Sequence, residues 1–163
     1  GFKVVGIEGS SSAVDFALDR FKREGLSGDL RVGDFTRLPF EDDSFDLIID
    51  RCSLACVGIE AQKKAVAEVY RCLREGGRFL HNTYADSHSS MPAGELGADG
   101  LIDNITGGTL IGVGQLHFTS RTEIHERFAD GWNLLQVQRR EWVDMLGVGG
   151  DIHAEWVVTA EKI

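Results

Sequence analysis

The chain has 163 residues, a length that suits one domain with its own core. Apolar residues make up 42% and charged residues 26%, and no apolar run approaches the roughly 20 residues that span a bilayer, so we expect no membrane anchor. The net charge of -9 disfavours a general nucleic-acid binder, because phosphate contacts need clustered Lys and Arg.

The N-terminal part predicts a strand, a helix and a second strand. Residues 2–8 are typical of a short buried strand. Ser10 to Ser12 offer N-caps for a helix, with Asp15 spaced for a capping box with Ser12, and Gly25 is expected to end the helix. Residues 30–32 predict the second strand.

The next segments continue this alternation. Residues 45–49 predict a third strand, apolar enough to be buried on both faces, as in a parallel sheet. A helix over 61–74 is expected to end at Gly76 and Gly77, and residues 78–84 predict a fourth strand. The pattern predicts an α/β fold with a doubly wound, mostly parallel Rossmann-like sheet.

The second half differs in composition. Residues 86–117 hold seven glycines, so we expect a long glycine-rich loop or lid. Ser120 and Glu123 predict a capping box for a helix that ends near Gly131.

Two closing strands are expected over 134–142 and 154–161. The loop between them contains Gly147, Gly149 and Gly150 and is short enough for an antiparallel hairpin. The sheet is therefore expected to end in an antiparallel pair.

Polar residues follow three predicted strands, at the edge where open parallel sheets bind ligands. Glu8 could accept hydrogen bonds from a ribose diol. Asp34 could accept one from an adenine amino group while Phe35 packs on the ring, and Asp50 and Arg51 would line the crevice. Each also has a structural explanation: a helix-terminal charge for Glu8, an Asx-turn for Asp34 and a surface ion pair for the others.

In order and spacing, these segments resemble the class I S-adenosylmethionine-dependent methyltransferases. The segments that carry the resemblance are Val-Val-Gly-Ile-Glu-Gly-Ser at 4–10, Gly-Asp-Phe at 33–35, Leu-Pro-Phe at 38–40, Leu-Arg-Glu-Gly-Gly-Arg-Phe at 73–79 and the closing stretch to Lys162. The resemblance covers nearly the whole chain apart from 86–117.

The resemblance implies S-adenosylmethionine as cofactor and a small-molecule methyl acceptor. Glu8 and the adjoining Gly9 would meet the cofactor ribose, and Asp34 and Phe35 its adenine. Asp50 and Arg51 would lie near the methionine moiety or the acceptor, and the Asp50-Arg51 pair also resembles the thiopurine and thiol methyltransferase branch.

The family's first strand and glycine-rich loop would precede Gly1. A βαβ unit takes about 30 residues or more. We therefore expect residues 1–163 to form a single, incomplete domain that lacks a central strand between the first and third strands here. The chain would be a truncated or cleaved product, or a homodimer would complete the sheet.

Three residues are candidates for a general base toward the acceptor: His81 on the fourth strand, Tyr84 at its end, and His117 after the glycine-rich segment. Each could instead be a packing residue with satisfied hydrogen bonds. The segment 86–117 would serve as the acceptor lid.

Two other functions are compatible with the pattern. Glu8 would suit the ribose of NAD in an oxidoreductase, and the fold could also be a non-catalytic remnant or assembly subunit. The odd number of cysteines suggests free thiols and a cytoplasmic location, and no metal site is expected because the five histidines are scattered without a zinc-binding spacing.

Overall fold

The computed structural model describes residues 1–146 and 150–163. Its strands and helices, in chain order, are β1 (Val5–Glu8), α1 (Ser11–Glu24), β2 (Asp29–Val32), β3 (Phe45–Arg51), α2 (Ile59–Cys72), β4 (Leu73–Tyr84), β5 (Glu95–Leu96), β6 (Ile102–Asp103), α3 (Arg121–Arg127), β7 (Trp132–Val143) and β8 (Ile152–Lys162). Short 3-10 turns lie at Leu54–Cys56 and Ala98–Gly100.

The main sheet has the strand order β3-β4-β8-β7. β3 and β4 run parallel, and β8 pairs antiparallel with both β4 and β7. β1 and β2 form a separate parallel pair. The predicted α/β fold with a C-terminal antiparallel hairpin is confirmed; two of the hairpin's predicted loop glycines, Gly147 and Gly149, lie outside the described residues.

Strands β1 and β3 do not pair with each other, and no strand of the described ranges lies between them. On β3, Leu47 is 42% exposed and Ile49 is 65% exposed. The prediction that this strand is buried on both faces is therefore wrong. Helices α2 and α3 pack on the opposite face, where Ile48 joins the core.

Helix α1 begins two residues before its predicted capping box. Ser10 is the N-cap, and its Oγ accepts a hydrogen bond from Ala13 N at 3.3 Å. The predicted box between Ser12 and Asp15 is wrong, because Ser12 already lies inside the helix. Gly25 ends α1 in the left-handed conformation, as predicted.

Helix α2 ends at Cys72, before the predicted glycine stop. Leu73 is fully buried and pairs with Phe45 on β3, so the chain becomes extended at once. Gly76 and Gly77 consequently lie within β4 and do not terminate the helix.

One apolar core lies between the main sheet and the two helices that cover it. Its members come from α2, α3 and the sheet: Ala65, Val66, Val69, Phe79, Ile124, Phe128, Trp132, Trp156 and Val158, among others. The predicted capping box of α3 is confirmed, since Glu123 N donates to Ser120 Oγ and Ser120 N donates to Glu123 Oε2.

The segment 86–117 contains short regular elements. It contains the antiparallel ribbon of β5 and β6 and supplies most of a second apolar cluster, which consists of Ala55, Ile102, Ile105, Leu110, Leu116 and Phe118. Across the two described ranges, we find no helix long and apolar enough to cross a bilayer.

Candidate active site

Two acidic side chains lie at the carboxyl ends of the neighbouring strands β1 and β2. Glu8 pairs with Val32 in the strand register, and Gly33 N donates to the Glu8 carbonyl at 3.0 Å. Asp34 follows directly on that turn. Both carboxylates are exposed, so the first two predicted cofactor contacts share one edge of the sheet.

Each carboxylate uses one oxygen to shape its turn. Glu8 Oε1 accepts from Ser10 N at 2.9 Å, and Asp34 Oδ1 accepts from both the backbone and the hydroxyl of Thr36 at 2.7 Å. The Thr36 hydroxyl, followed by its backbone N–H, lowers the pKa of Asp34. Within the described residues, Glu8 Oε2 and Asp34 Oδ2 accept no hydrogen bond.

The residues beside these carboxylates suit a nucleoside. Phe35 is half-buried against the main core, and a Cβ built on Gly9 would meet nothing within 4 Å. The edge therefore offers two carboxyl groups as acceptors, an aromatic side chain and an open backbone position. This donor set fits a ribose diol and an adenine amino group.

The third predicted strand end is organised differently. Asp50 is buried; its Oδ2 accepts from His81 Nδ1 at 2.8 Å, and its Oδ1 accepts from the backbone N–H and the hydroxyl of Ser53. Arg51 is exposed at the same strand end. Asp50 thus holds the turn after β3, and its predicted contact with the cofactor stays a prediction.

His81 is fully buried between β4 and α3. Its Nε2 faces Arg127 Nη1 at 3.4 Å, and the other Arg127 nitrogen donates to Gln62 Oε1. Burial lowers the pKa of His81, against the opposing effect of Asp50. Both ring nitrogens have partners, so the ring links β3, β4 and α3. Its predicted role as a base stays a prediction.

Tyr84 ends β4 beside Cys52. Burial raises the pKa of Tyr84 to about 12 and that of Cys52 to about 11. Cys52 has a φ of 63°, a left-handed conformation that is uncommon outside glycine. Such strained positions cluster at functional sites.

Both ring nitrogens of His117 face hydrogen-bond acceptors. Its Nδ1 lies 2.9 Å from the Gly100 carbonyl, and its Nε2 lies 2.8 Å from Glu123 Oε1. Both partners are acceptors, so the ring can donate to both only when both nitrogens carry protons. His117 therefore ties the segment 86–117 to the start of α3.

Sequence comparison links this edge to a known family. Residues 1–81 match the family described as "Methyltransferase domain", and that range contains β1 to β3 with Glu8, Asp34 and Asp50. The N-terminal half of the chain is therefore similar to a methyltransferase domain.

Individual relatives with similar sequences are also methyltransferases by name. An uncharacterised methyltransferase of Bacillus subtilis is 35% identical over 77 residues, which cover 47% of this chain and 30% of that protein. A demethylmenaquinone methyltransferase of Streptomyces avermitilis is 38% identical over 61 residues, which cover 34% of this chain and 26% of that protein. The matched stretches span less than a third of each relative's length.

Solved structures share the fold. A methyltransferase structure from Methanosarcina mazei superposes with a TM-score of 0.81 at 19% identity, and the match covers 100% of this chain and 83% of that one. These findings confirm the predicted fold class and agree with the predicted methyltransferase family, and they do not favour an NAD-dependent oxidoreductase. The thiopurine branch and the individual site residues stay predictions.

The methyltransferase fold also brings together polar residues that the sequence analysis missed. His88, Thr109, His153 and Glu155 form a cluster beside Tyr84, whose ring centroid lies 5.7 Å from that of His88 and 5.9 Å from that of His153. His153 and Glu155 are two residues apart on β8, so their side chains share one face of the strand. This spacing could have been noticed in the sequence. Their meeting with His88 and Thr109 depends on long-range folding that no local pattern indicates.

Proposed function

We propose that this chain forms the cofactor and acceptor sites of an S-adenosylmethionine-dependent methyltransferase that acts on a small molecule. The observation that carries the proposal is the pair of exposed carboxylates, Glu8 and Asp34, at adjacent strand ends inside the matched region. The net charge of -9 supports a small acceptor over a nucleic acid.

The residues present fit the nucleoside half of the cofactor. Glu8 would accept from the ribose hydroxyls, Asp34 from the adenine amino group, and Phe35 would pack against the ring. S-adenosylmethionine supplies a methyl group already activated on a sulfonium. The protein's task is then to orient the acceptor and exclude water.

The segment 86–117 is proposed as the cover of the acceptor site. It follows β4 directly, and its apolar cluster includes Ala55 from the turn after β3. Tyr84 packs against that cluster. The cover is therefore anchored at the carboxyl ends of β3 and β4.

Calorimetric titration with S-adenosylhomocysteine and with NAD tests the function. We expect S-adenosylhomocysteine to bind and NAD not to bind. Binding of NAD alone would contradict the proposal, and binding of neither would support a non-catalytic role for this chain.

Asp34→Ala tests the adenine contact. We expect a loss of about tenfold or more in affinity for S-adenosylhomocysteine, because one charge-assisted hydrogen bond disappears. Asp29→Ala is the matched control, since Asp29 is an exposed carboxylate at the other end of β2. Equal affinities for the two variants would remove the assigned role.

Association of two chains is a second proposal. β1 and β3 each have one edge without a strand partner in the described ranges, and a strand paired with both would join the two parallel pairs. We propose that a second copy can complete the sheet. Light scattering after size-exclusion chromatography should then give twice the monomer mass; a monomer at all concentrations would contradict this.

The three free thiols further suggest the cytoplasm as the compartment.

A further inference from the structure

We propose that His153 is the general base of the acceptor site and that the acceptor is an aryl hydroxyl. The proposal rests on the methyl transfer proposed above and assigns the acceptor's side of the reaction. His153 lines a cavity, with one ring nitrogen beside a hydroxyl and the other beside a carboxylate. None of the three base candidates named from the sequence combines these features.

The hydrogen bonds determine which nitrogen of each ring carries a proton. Ser90 N donates to His88 Nδ1 at 3.0 Å, so the neutral His88 ring carries its proton on Nε2. That nitrogen lies 3.2 Å from both Thr109 Oγ1 and His153 Nδ1. It can donate to the threonine oxygen, whose own hydroxyl proton then points at His153 Nδ1 at 2.7 Å. Burial, followed by the neighbouring His153, lowers the pKa of His88 to about 4, consistent with a neutral ring.

The other nitrogen of His153 faces a carboxylate. His153 Nε2 lies 3.3 Å from Glu155 Oε1, so the proton of the neutral ring is placed there. A carboxylate in this position fixes the tautomer and stabilises the imidazolium that forms when the other nitrogen takes a proton. His153 is thereby prepared to accept a proton at Nδ1.

A hydroxyl already occupies the position that an acceptor would take. Thr109 Oγ1 lies 2.7 Å from His153 Nδ1, the shortest contact that the His153 ring makes. Thr109 is exposed and belongs to the segment 86–117 proposed as the cover. An acceptor O–H that displaced Thr109 would find the same hydrogen-bond acceptor at the same place.

The adjoining cavity favours an aromatic ring. A cavity of about 370 Å³ is lined by Thr109, His153, Trp142 and Val143, with Asp144 and Asp151 also in its wall. Trp142 is 51% exposed, and its ring centroid lies 5.6 Å from that of His153 in an edge-to-face arrangement. An aryl ring placed there would pack on an aromatic wall while its hydroxyl met His153.

The cluster lies at the correct end of the sheet for methyl transfer. Glu155 pairs with Tyr84 in the register of β8 and β4. Since β8 is antiparallel to β4, its first residues lie beyond the carboxyl end of β4, which is the edge that also carries Arg51 and Cys52.

The step balances in atoms and charge. His153 Nδ1 removes the proton from the aryl hydroxyl as its oxygen bonds to the methyl carbon. The carbon–sulfur bond breaks with its electron pair on sulfur, which leaves a neutral thioether. The positive charge of the sulfonium is thus replaced by that of the His153 imidazolium, which Glu155 stabilises until the proton passes to water.

A structural test needs no turnover. Nitrogen NMR of the ¹⁵N-histidine-labelled chain should show His153 as the tautomer protonated on Nε2, with Nδ1 unprotonated. Thr109→Val should shift the Nδ1 resonance of His153 because that nitrogen loses the threonine donor, and should leave the exposed His125 unchanged. A His153 ring protonated on Nδ1 would overturn the proposal.

A paired-acceptor assay tests the role itself. Phenol and thiophenol have the same ring, but a thiol ionises far more easily than a phenol and needs less help from a base. With S-adenosylmethionine present, His153→Gln should lower the methylation rate of phenol by on the order of 10²–10⁴ and that of thiophenol only a few-fold. His125→Gln, on the exposed face of α3, should change neither rate.

The outcomes are distinguishable. Equal losses for both acceptors in a folded His153→Gln chain would overturn the base role, and methylation of neither by wild-type chain that binds S-adenosylhomocysteine would overturn the acceptor class. Failure of the wild-type chain to bind S-adenosylhomocysteine would contradict the proposed function itself. If His153→Gln melts at a lower temperature than wild type, Glu155→Gln provides the second variant, with the same selective loss for phenol expected.

Discussion

Asp50 and His81 lie opposite each other on the parallel strands β3 and β4, with Asp50 Oδ2 accepting the Nδ1–H of His81 at 2.8 Å. Both side chains are buried, and the second Asp50 oxygen holds Ser53 in the turn after β3. The pair therefore connects the core to the sheet edge at which Cys52 adopts its left-handed conformation. The pair thus supports the turn after β3 from the buried side of the sheet.

Removing the carboxylate of this pair should destabilise the fold. Asp50→Ala leaves the ring N–H of His81 and the Ser53 backbone N–H without their acceptor, so we expect a loss of about 3 kcal/mol in the free energy of unfolding. Asp46→Ala is the control, because Asp46 forms an exposed ion pair with Arg74 and should cost less than about 1 kcal/mol. Urea denaturation measures both; equal losses would contradict the structural role.

Acid should destabilise the protein through His88. The native ring has a pKa lowered to about 4 from its ordinary 6.5, so between these values the unfolded chain binds a proton that the native chain does not. The contribution is fully present above pH 6.5 and is lost as the pH falls toward 4, by about 3 kcal/mol for this difference. Urea midpoints measured between pH 7 and pH 4 should show the decline.

Replacement of His88 isolates its share of that decline. His88→Asn should flatten the dependence between pH 6.5 and 4, although His81, whose pKa is also lowered by burial, keeps part of it. His125→Asn should leave the profile unchanged, since His125 is exposed on α3. An unaltered slope in His88→Asn would show that the native ring is not held neutral.

Local patterns predicted most elements because their causes are local. The Ser120–Glu123 box and the left-handed Gly25 are consequences of a few neighbouring residues, and both are present. Burial of β3 was mispredicted because it depends on what covers each face of the sheet. The exposure of Ile49 follows from the position of helices far away in sequence.

The residues of the candidate site also differ in whether local sequence could predict them. Glu8 and Asp34 could be found from the sequence, because each directly follows a strand and neighbouring parallel strands end together. His88, Thr109 and His153 could not, since 65 residues separate the two rings that lie 3.2 Å apart. Only the folded segment 86–117 and the β7–β8 hairpin bring them together.

Helix α3 should depend on its N-terminal cap. Ser120→Ala removes the acceptor for Glu123 N and should cost about 1 kcal/mol. Glu123→Ala should cost about 2 kcal/mol, because Glu123 also accepts from Ser120 N and lies 2.8 Å from His117 Nε2. Glu126→Ala, exposed on the same helix, serves as the control in thermal melts, and a cost as large as that of Glu123→Ala would contradict the assignment.

Gly131 should tolerate no side chain, for two separable reasons. Its φ is 77°, where an L-residue costs about 1 kcal/mol or more, and an added Cβ would lie 2.8 Å from Tyr70 ring atoms. That ring is fixed edge-to-face on Trp132 at 5.2 Å and by its hydroxyl, which donates to the Ile163 carbonyl.

Gly112 separates the two effects. Its φ is 76°, but an added Cβ there would meet nothing within 4 Å, so Gly112→Ala should cost only the backbone strain of about 1 kcal/mol. Gly131→Ala should cost that strain plus an overpacking penalty of about 1–3 kcal/mol, because the Tyr70 ring is held by Trp132 and by its hydrogen bond to Ile163. Urea denaturation of the two variants gives the difference directly. If they lose equal stability, the contact between Gly131 and Tyr70 carries no packing energy and the turn before β7 is held by backbone conformation alone.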